Sequence, residues 1–322
     1  MNELNLKELQ DLPKEVLQIA IDRERSIQSL YNFFLLCMDN IYTHIEFENN
    51  WHYKVLCDLI QSRVEKMLRH EKDKHLLINL PIRCGKSILI GEIFPVWLWI
   101  ISDKLMIQSI CCTQRLATKS SRMSKLIITS EWFQKRFPEI KLSEDNKSKS
   151  DYSTKSNGTR ISYGIDSSQI GTSADVQIID DPNDPSEKNS DTAIRNVRDT
   201  FQEVIVGRMN NEWSLRIILQ QRTSAKDLCG YLLENNANDY RHICIPAELT
   251  KDVSPEFIKY YQDGLFFLKR YSKRRLDQYK RDMTAHAYAS QLLQAPSALE
   301  GSIIKKVWFK IIKNHEFNKL SQ

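Results

Sequence analysis

The feature that most constrains this chain is the run HLLINLPIRCGKSILIGEIFPVWLWI, residues 75–100. Four of its first six residues are Leu or Ile, without strict alternation and too few for a buried helix, so they read as a strand covered on both faces. A short loop follows, then Gly85-Lys86-Ser87, then a long apolar helical stretch. A strand that passes directly into a helix belongs to a parallel sheet whose crossovers are helical. Similar short β-rich runs recur at His75–Leu80, Ile107–Cys112, Thr159–Gly164, Val176–Ile179, Leu215–Gln220 and His242–Ile245. Only 9 Gly and 9 Pro occur in 322 residues, which argues against a loop-rich all-β protein. The expected fold is α/β, a mostly parallel central sheet flanked by helices.

The same run carries the first chemical signal. Amides at the loop and helix start can cradle phosphates, Lys86 can reach the β and γ oxygens, and the Ser87 hydroxyl can hold Mg2+. Leu80 stands where the usual phosphate-loop pattern has its first glycine, and Pro81, Ile82, Arg83 and Cys84 fill the loop. Taken alone, Gly-Lys-Ser is equally an ordinary helix start. A second signal is the apolar strand VQIIDDP, ending in Asp180 and Asp181. Ligands of parallel sheets gather at the carboxyl ends of the strands, so this pair is expected beside the loop. Asp180 would then share Mg2+ with Ser87, and Asp181 would orient or deprotonate an attacking water. The third signal is LRIILQQRTSAKDL, where Gln221 at a strand end is a candidate sensor of the γ-phosphate. Each of the last two has a plainer reading, as a turn after a strand or a loop capped by Ser224. Their joint occurrence favours a nucleotide site binding ATP and Mg2+.

Composition bounds the rest. The 46 Lys and Arg against 41 Asp and Glu leave a formal charge of +5, which suits a polyanionic partner without requiring one. Seven scattered cysteines, with no CxxC, read as free thiols rather than a disulfide or zinc framework. The acidic, amphipathic N-terminus is no signal peptide, and the apolar stretch Ile88–Ile101 is broken by Gly91, Glu92 and Pro95. It falls short of the roughly 20 residues that span a bilayer, so no membrane association is expected. Val16, Ile19, Ile27, Leu30 and Phe34 sit at helical spacing, and the expected organisation is an N-terminal helical subdomain over 1–50 and a core over 51–247. A helical, basic segment follows over 248–322, and the polar stretch Ser143–Asn157 is expected to be a surface loop.

These residues resemble the large terminase subunit, the DNA-packaging ATPase of tailed bacteriophages. The likeness rests on Leu80-Pro81-Ile82-Arg83-Cys84-Gly85-Lys86-Ser87, on Gly164 through Gly171 to Ile179-Asp180-Asp181-Pro182, and on Gln221-Arg222 with Asp227-Leu228 and Gly230. Phe94-Pro95 with Trp97 adds to it, and the similarity runs over about residues 45 to 310. Ile82 and Cys84 depart from the proline and histidine common at those positions; Cys84 raises the idea of oxidation sensitivity. The resemblance implies an additional-strand P-loop NTPase in which Arg83 stabilises charge on the transferred phosphoryl. It places His52 near the adenine, against a plainer packing role.

The resemblance further implies ATP-driven translocation of double-stranded DNA into a procapsid in the host cytoplasm. Partners would be the portal protein, the terminase small subunit and copies of the chain in a ring. Family members usually continue into a nuclease domain. Here the Gly301-Ser302-Ile303 segment with Trp308 resembles the junction to it, and Glu316 is the only acidic residue after Glu300. The expectation is a large subunit lacking the nuclease domain, whether truncated, split or degenerate, or an ATPase half whose nuclease is a separate partner chain. The basic cluster from Lys269 to Arg281, with Tyr271 and Tyr279, is a candidate DNA grip or a solvated helix face. The rival readings are a helicase-like ATPase and a prophage remnant that binds nucleotide or DNA without turnover.

Overall fold

The computed structural model of the protein describes residues 13–144, 148–167 and 172–296. Its centre is a seven-stranded sheet: β1 (His75–Asn79), β2 (Ile107–Cys111), β3 (Asp151–Ser153), β4 (Thr159–Gly164), β5 (Val176–Asp180), β6 (Leu215–Gln220) and β7 (Tyr240–Cys244). The spatial order is β3-β4-β2-β5-β6-β1-β7, all parallel except the β3–β4 pair. Strand β6 lies between β1, which feeds the Gly-Lys-Ser loop, and β5, which ends in the acidic pair. That intervening strand is what defines the additional-strand type.

Strands β2, β5 and β6 are buried along their whole length, which is why their sequences do not alternate. Alternate side chains enter opposite faces. Leu76, Ile78, Val176, Ile178, Ile217 and Leu219 join one core, while Leu77, Ile179 and Ile218 join another. Each fully buried side chain of this kind contributes about 1.5–3 kcal/mol. On the first face lie α1 (Lys14–Gln28), which packs on other helices of this layer, then α2 (Leu30–Asn40), α3 (Trp51–Leu68), α4 (Phe94–Ile101), α5 (Gln114–Thr129) and α6 (Glu131–Arg136). The second carries α7 (Asp191–Thr200) and α8 (Leu228–Asn235). The chain then runs through α9 (Lys273–Asp282) and α10 (Ala285–Gln291). No helix among the described residues is long and apolar enough to cross a membrane.

One local expectation is corrected, and two helices carry details that the sequence pattern does not show. The stretch expected as a surface loop contains β3, antiparallel to β4, because Tyr152 is fully buried and donates its hydroxyl to Ser121 O at 3.1 Å. A single apolar anchor in a polar run leaves no periodic trace. In α1 the apolar residues Val16, Ile21 and Ile27 are exposed, whereas Asp22 and Ser26 are buried. Asp22 faces inward because Arg136 meets it at 2.5 Å, and Trp97 Nε1 donates to Ser26 O at 2.9 Å. Finally, the helix after the loop is wound in wide π-type turns over Ile88–Ile93 before α4 begins. Pro95 explains this: it has no N–H, and its ring excludes the carbonyl four residues back, that of Gly91. The freed Gly91 oxygen accepts from Ser120 Oγ at 2.7 Å and Arg160 Nη2 at 2.8 Å.

Candidate active site

The loop over residues 80–85 connects β1 to the helical turn that starts at Lys86. Arg83 and Gly85 take left-handed backbone conformations, with φ of 59° and 79°. At Gly85 a side chain is excluded twice, by that φ and because a Cβ would lie 2.3 Å from the Tyr53 hydroxyl. The loop's carbonyls are held from outside. His52 Nε2 lies 3.0 Å from Cys84 O, Tyr271 donates its hydroxyl to Ile82 O, and Ile82 N–H donates to Gln291 O at 3.3 Å.

Lys86 and the acidic pair meet at the carboxyl ends of β1 and β5. Lys86 Nζ sits 3.0 Å from Asp181 Oδ2, with the lysine side chain only 7% exposed. Burial alone would push Lys86 down, but Asp181 outweighs it and holds the lysine above its ordinary value. Asp181 adopts φ 45°, and its Oδ1 accepts the Gln221 backbone N–H at 2.8 Å. Asp180 is pushed well above the usual carboxylate range, first by burial and then by repulsion from Asp181, while Lys86 and the Ser87 hydroxyl pull the other way.

Asp180 Oδ1 is buried without a hydrogen-bond partner. A buried carboxylate oxygen left unpaired beside a serine hydroxyl fits Mg2+, which binds hard oxygens and takes few of them from protein. Among the described residues no group of three or more His, Cys, Asp or Glu is placed to hold a metal, so a site here would be completed by phosphate and water.

Next to the loop lies a cavity of about 320 Å3, within the usual range for small-molecule sites. Phe34, Met38, Ile45, Phe47 and Tyr53 form its apolar lining, and Arg83, Gly85, Lys86 and Ser87 the side towards the loop. Arg83 is exposed and has no side-chain partner among the described residues, so its guanidinium is free to face a ligand. A larger cavity, about 700 Å3, opens at the other end of the strands around His75 and Arg216, away from the acidic pair.

Of the predicted residues, Lys86, Asp180, Asp181 and Gln221 converge, with Ser87 beside Asp180. Gln221 reaches Asp181 through its backbone, and its side-chain oxygen is buried without a partner. Arg222, by contrast, is tied to Asp227, with both carboxylate oxygens 3.0 Å from its Nε. Pro81 and Ile82 supply loop backbone. Cys84 is fully buried and its thiol is pushed up to about 11 by burial, which removes the basis for oxidation sensitivity. Gly171 and the Gly301, Ile303 and Trp308 segment lie outside the described residues. Sequence reasoning missed Asn183, whose Oδ1 accepts from Gln220 Nε2 and Leu228 N–H, both at 3.0 Å. Its place just after Asp-Asp-Pro was the available signal. His52 proves to be a loop support: it is fully buried and pushed down to about 3 by burial.

No protein-family model matches the chain, and no curated protein matches it. Among solved structures, the HK97 bacteriophage large terminase is 13% identical with a TM-score of 0.51, the match covering 84% of this chain and 54% of that one. The large terminase of a thermophilic bacteriophage, in complex with ADP, is 11% identical with a TM-score of 0.42, covering 72% and 52%. The chain thus spans about half the length of the solved terminases it matches. The sheet with its flanking helices and N-terminal helices shares the fold of the matched half of that HK97 large terminase.

Proposed function

We propose that this chain is an ATP hydrolase of the large-terminase type, driving double-stranded DNA into a procapsid. The observation that carries the reading is the ion pair between Lys86 and Asp181 at 3.0 Å, set beside the orphaned Asp180 oxygen at the mouth of a glycine-bearing loop. The HK97 fold likeness supports it.

In this reading the loop amides and Lys86 bind the phosphates, and Ser87 and Asp180 hold Mg2+. The metal, when bound, neutralises charge developing on the phosphate oxygens. Lys86 exchanges Asp181 for the triphosphate, and the released carboxylate orients the attacking water and accepts its proton. Arg83 stabilises charge on the transferred phosphoryl, and Gln221, bonded to Asp181, relays the state of the site to β6 and beyond. The exposed cations Lys273, Arg274, Arg275 and Arg281 of α9 supply a phosphate-gripping surface for duplex DNA. Assembly into a ring on the portal, with a small subunit and a nuclease supplied by further chain or a partner, belongs to the same proposal.

The test is steady-state ATP hydrolysis by the full chain, with and without blunt duplex DNA, at two salt concentrations. The reading predicts turnover that duplex stimulates and salt suppresses, without strand separation. Folded protein with no turnover, with or without duplex, overturns it, and unwinding of the duplex replaces it with the helicase reading.

A further inference from the structure

The basic run that begins at Lys269 does not behave as one surface. Lys273, Arg274 and Arg275 are exposed on α9, but Arg270 is half-buried and lines the cavity beside the phosphate loop, together with Arg83 and Lys86. Its direction is fixed by its neighbours. Phe266, Phe267 and Tyr271 are all buried, and the Phe266 carbonyl accepts from Trp51 Nε1 at 3.0 Å and from Asn50 Nδ2 at 3.3 Å. Tyr271, next in sequence, donates its hydroxyl to the loop carbonyl of Ile82. The segment is therefore clamped onto the loop, with Arg270 held on the cavity side.

The charges around that cavity are unbalanced in a way that points to an anion. Lys86 is paired with Asp181, and Glu48 is paired with Lys269 at 3.1 Å, which leaves the exposed Glu46 as the one unpaired carboxylate among the lining residues against two arginines. Arg270 and Arg83 have no carboxylate or hydrogen-bond partner for their guanidinium groups among the described residues. Arg270 is near enough to His52 and Tyr53 for its charge to disfavour a proton on the one and favour ionisation of the other. A half-buried guanidinium is costly without a partner, and its fork geometry matches phosphate oxygens.

We infer that Arg270 is a substrate-binding residue of this site, contacting the phosphates of a bound nucleoside triphosphate beside Arg83 and Lys86. The inference rests on the proposed nucleotide-hydrolase reading and adds to it a contact that lies outside every motif singled out for nucleotide. It also separates Arg270 from the DNA-gripping cations that follow it.

The experiment is calorimetric titration of the full chain with Mg2+ and ATPγS, comparing the parent with Arg270→Ala, Arg270→Met and Arg270→Lys, alongside thermal unfolding without nucleotide. Loss of a charged hydrogen bond weakens binding roughly ten- to a hundredfold in Arg270→Ala and Arg270→Met, with Arg270→Lys recovering part of it. Arg270→Met keeps the stem's packing, so its unfolding midpoint stays at the parent value and separates lost contact from lost fold. Duplex affinity of the variants stays at the parent level. If the parent binds ATPγS and Arg270→Met binds it as tightly, the inference is overturned and the hydrolase reading stands. If the parent itself does not bind, the hydrolase reading falls and takes the inference with it.

Discussion

His52 donates its Nε2–H to the Cys84 carbonyl at 3.0 Å, while its Nδ1 accepts from Asn50 Nδ2 at 2.8 Å. A carbonyl can only accept, so the pair of contacts fixes one neutral tautomer of a fully buried ring. Replacing His52 by Phe keeps much of the ring packing but orphans the loop carbonyl. The expected cost is about 1–3 kcal/mol in chemical unfolding, with weaker nucleotide binding. Unchanged stability would show that the loop holds itself.

The same residue contributes to an acid limit. Burial pushes His52 down to about 3, and His75 and His242 each to about 4, from an ordinary 6.5. Between those values the unfolded chain binds more protons than the folded one, so stability falls as pH drops below 6.5 towards 4 and 3. Unfolding midpoints recorded across that window should decline on acidification, and His52→Phe should decline less than the parent. Parallel curves for the two proteins would contradict the buried neutral ring.

Gly85 can be tested by adding one methyl group. In Gly85→Ala the φ of 79° is strained and the new Cβ meets the Tyr53 hydroxyl at 2.3 Å. Adding Tyr53→Phe removes the closest of these contacts and leaves two ring carbons at 3.0 and 3.1 Å, besides the strained φ. The single variant should lose nucleotide binding, and the double should recover part of it, measured by calorimetry. Full recovery would mean that neither the backbone strain nor the remaining ring contacts matter there.

Asp181→Asn should cut turnover by at least about a hundredfold, the usual scale for a removed general base, while binding of Mg2+ and ATPγS is kept. Asn tolerates the residue's φ of 45°, so the backbone need not shift. Turnover at the parent rate would take Asp181 out of the chemistry.

The thiols give a further check. All seven cysteines are free, and Cys112 alone is partly exposed, the other six being buried. Under native conditions a thiol reagent should label Cys112 first and leave Cys84 unmodified, as read by mass spectrometry of peptides. Early labelling of Cys84 would mean that the loop opens far more readily than its hydrogen bonds allow.

Much of the sheet was legible because strands buried on both faces are short, dense runs of Ile, Leu and Val. Lys86, Asp180 and Asp181 were legible because their chemistry sits at strand ends, where chain order and spatial order agree. What was hidden depends on partners distant in sequence. Trp51 bonds Phe266 across 215 residues, Tyr271 bonds Ile82 across 189, and no local pattern records either contact. Arg270 was hidden for another reason. It stands in a row of cations whose other members point to solvent, and only the buried Phe267 and Tyr271 turn it inward. In α1 the inward face is polar because Asp22 has a partner in Arg136, so hydropathy alone assigns the wrong face.

The most direct measurement is a structure of the chain with Mg2+ and ATPγS. The account predicts that Lys86 Nζ leaves Asp181, now 3.0 Å away, for the β and γ oxygens, with Mg2+ between Ser87, Asp180 and the phosphates. Nucleotide bound elsewhere, or bound with the Lys86–Asp181 pair still closed, would contradict it.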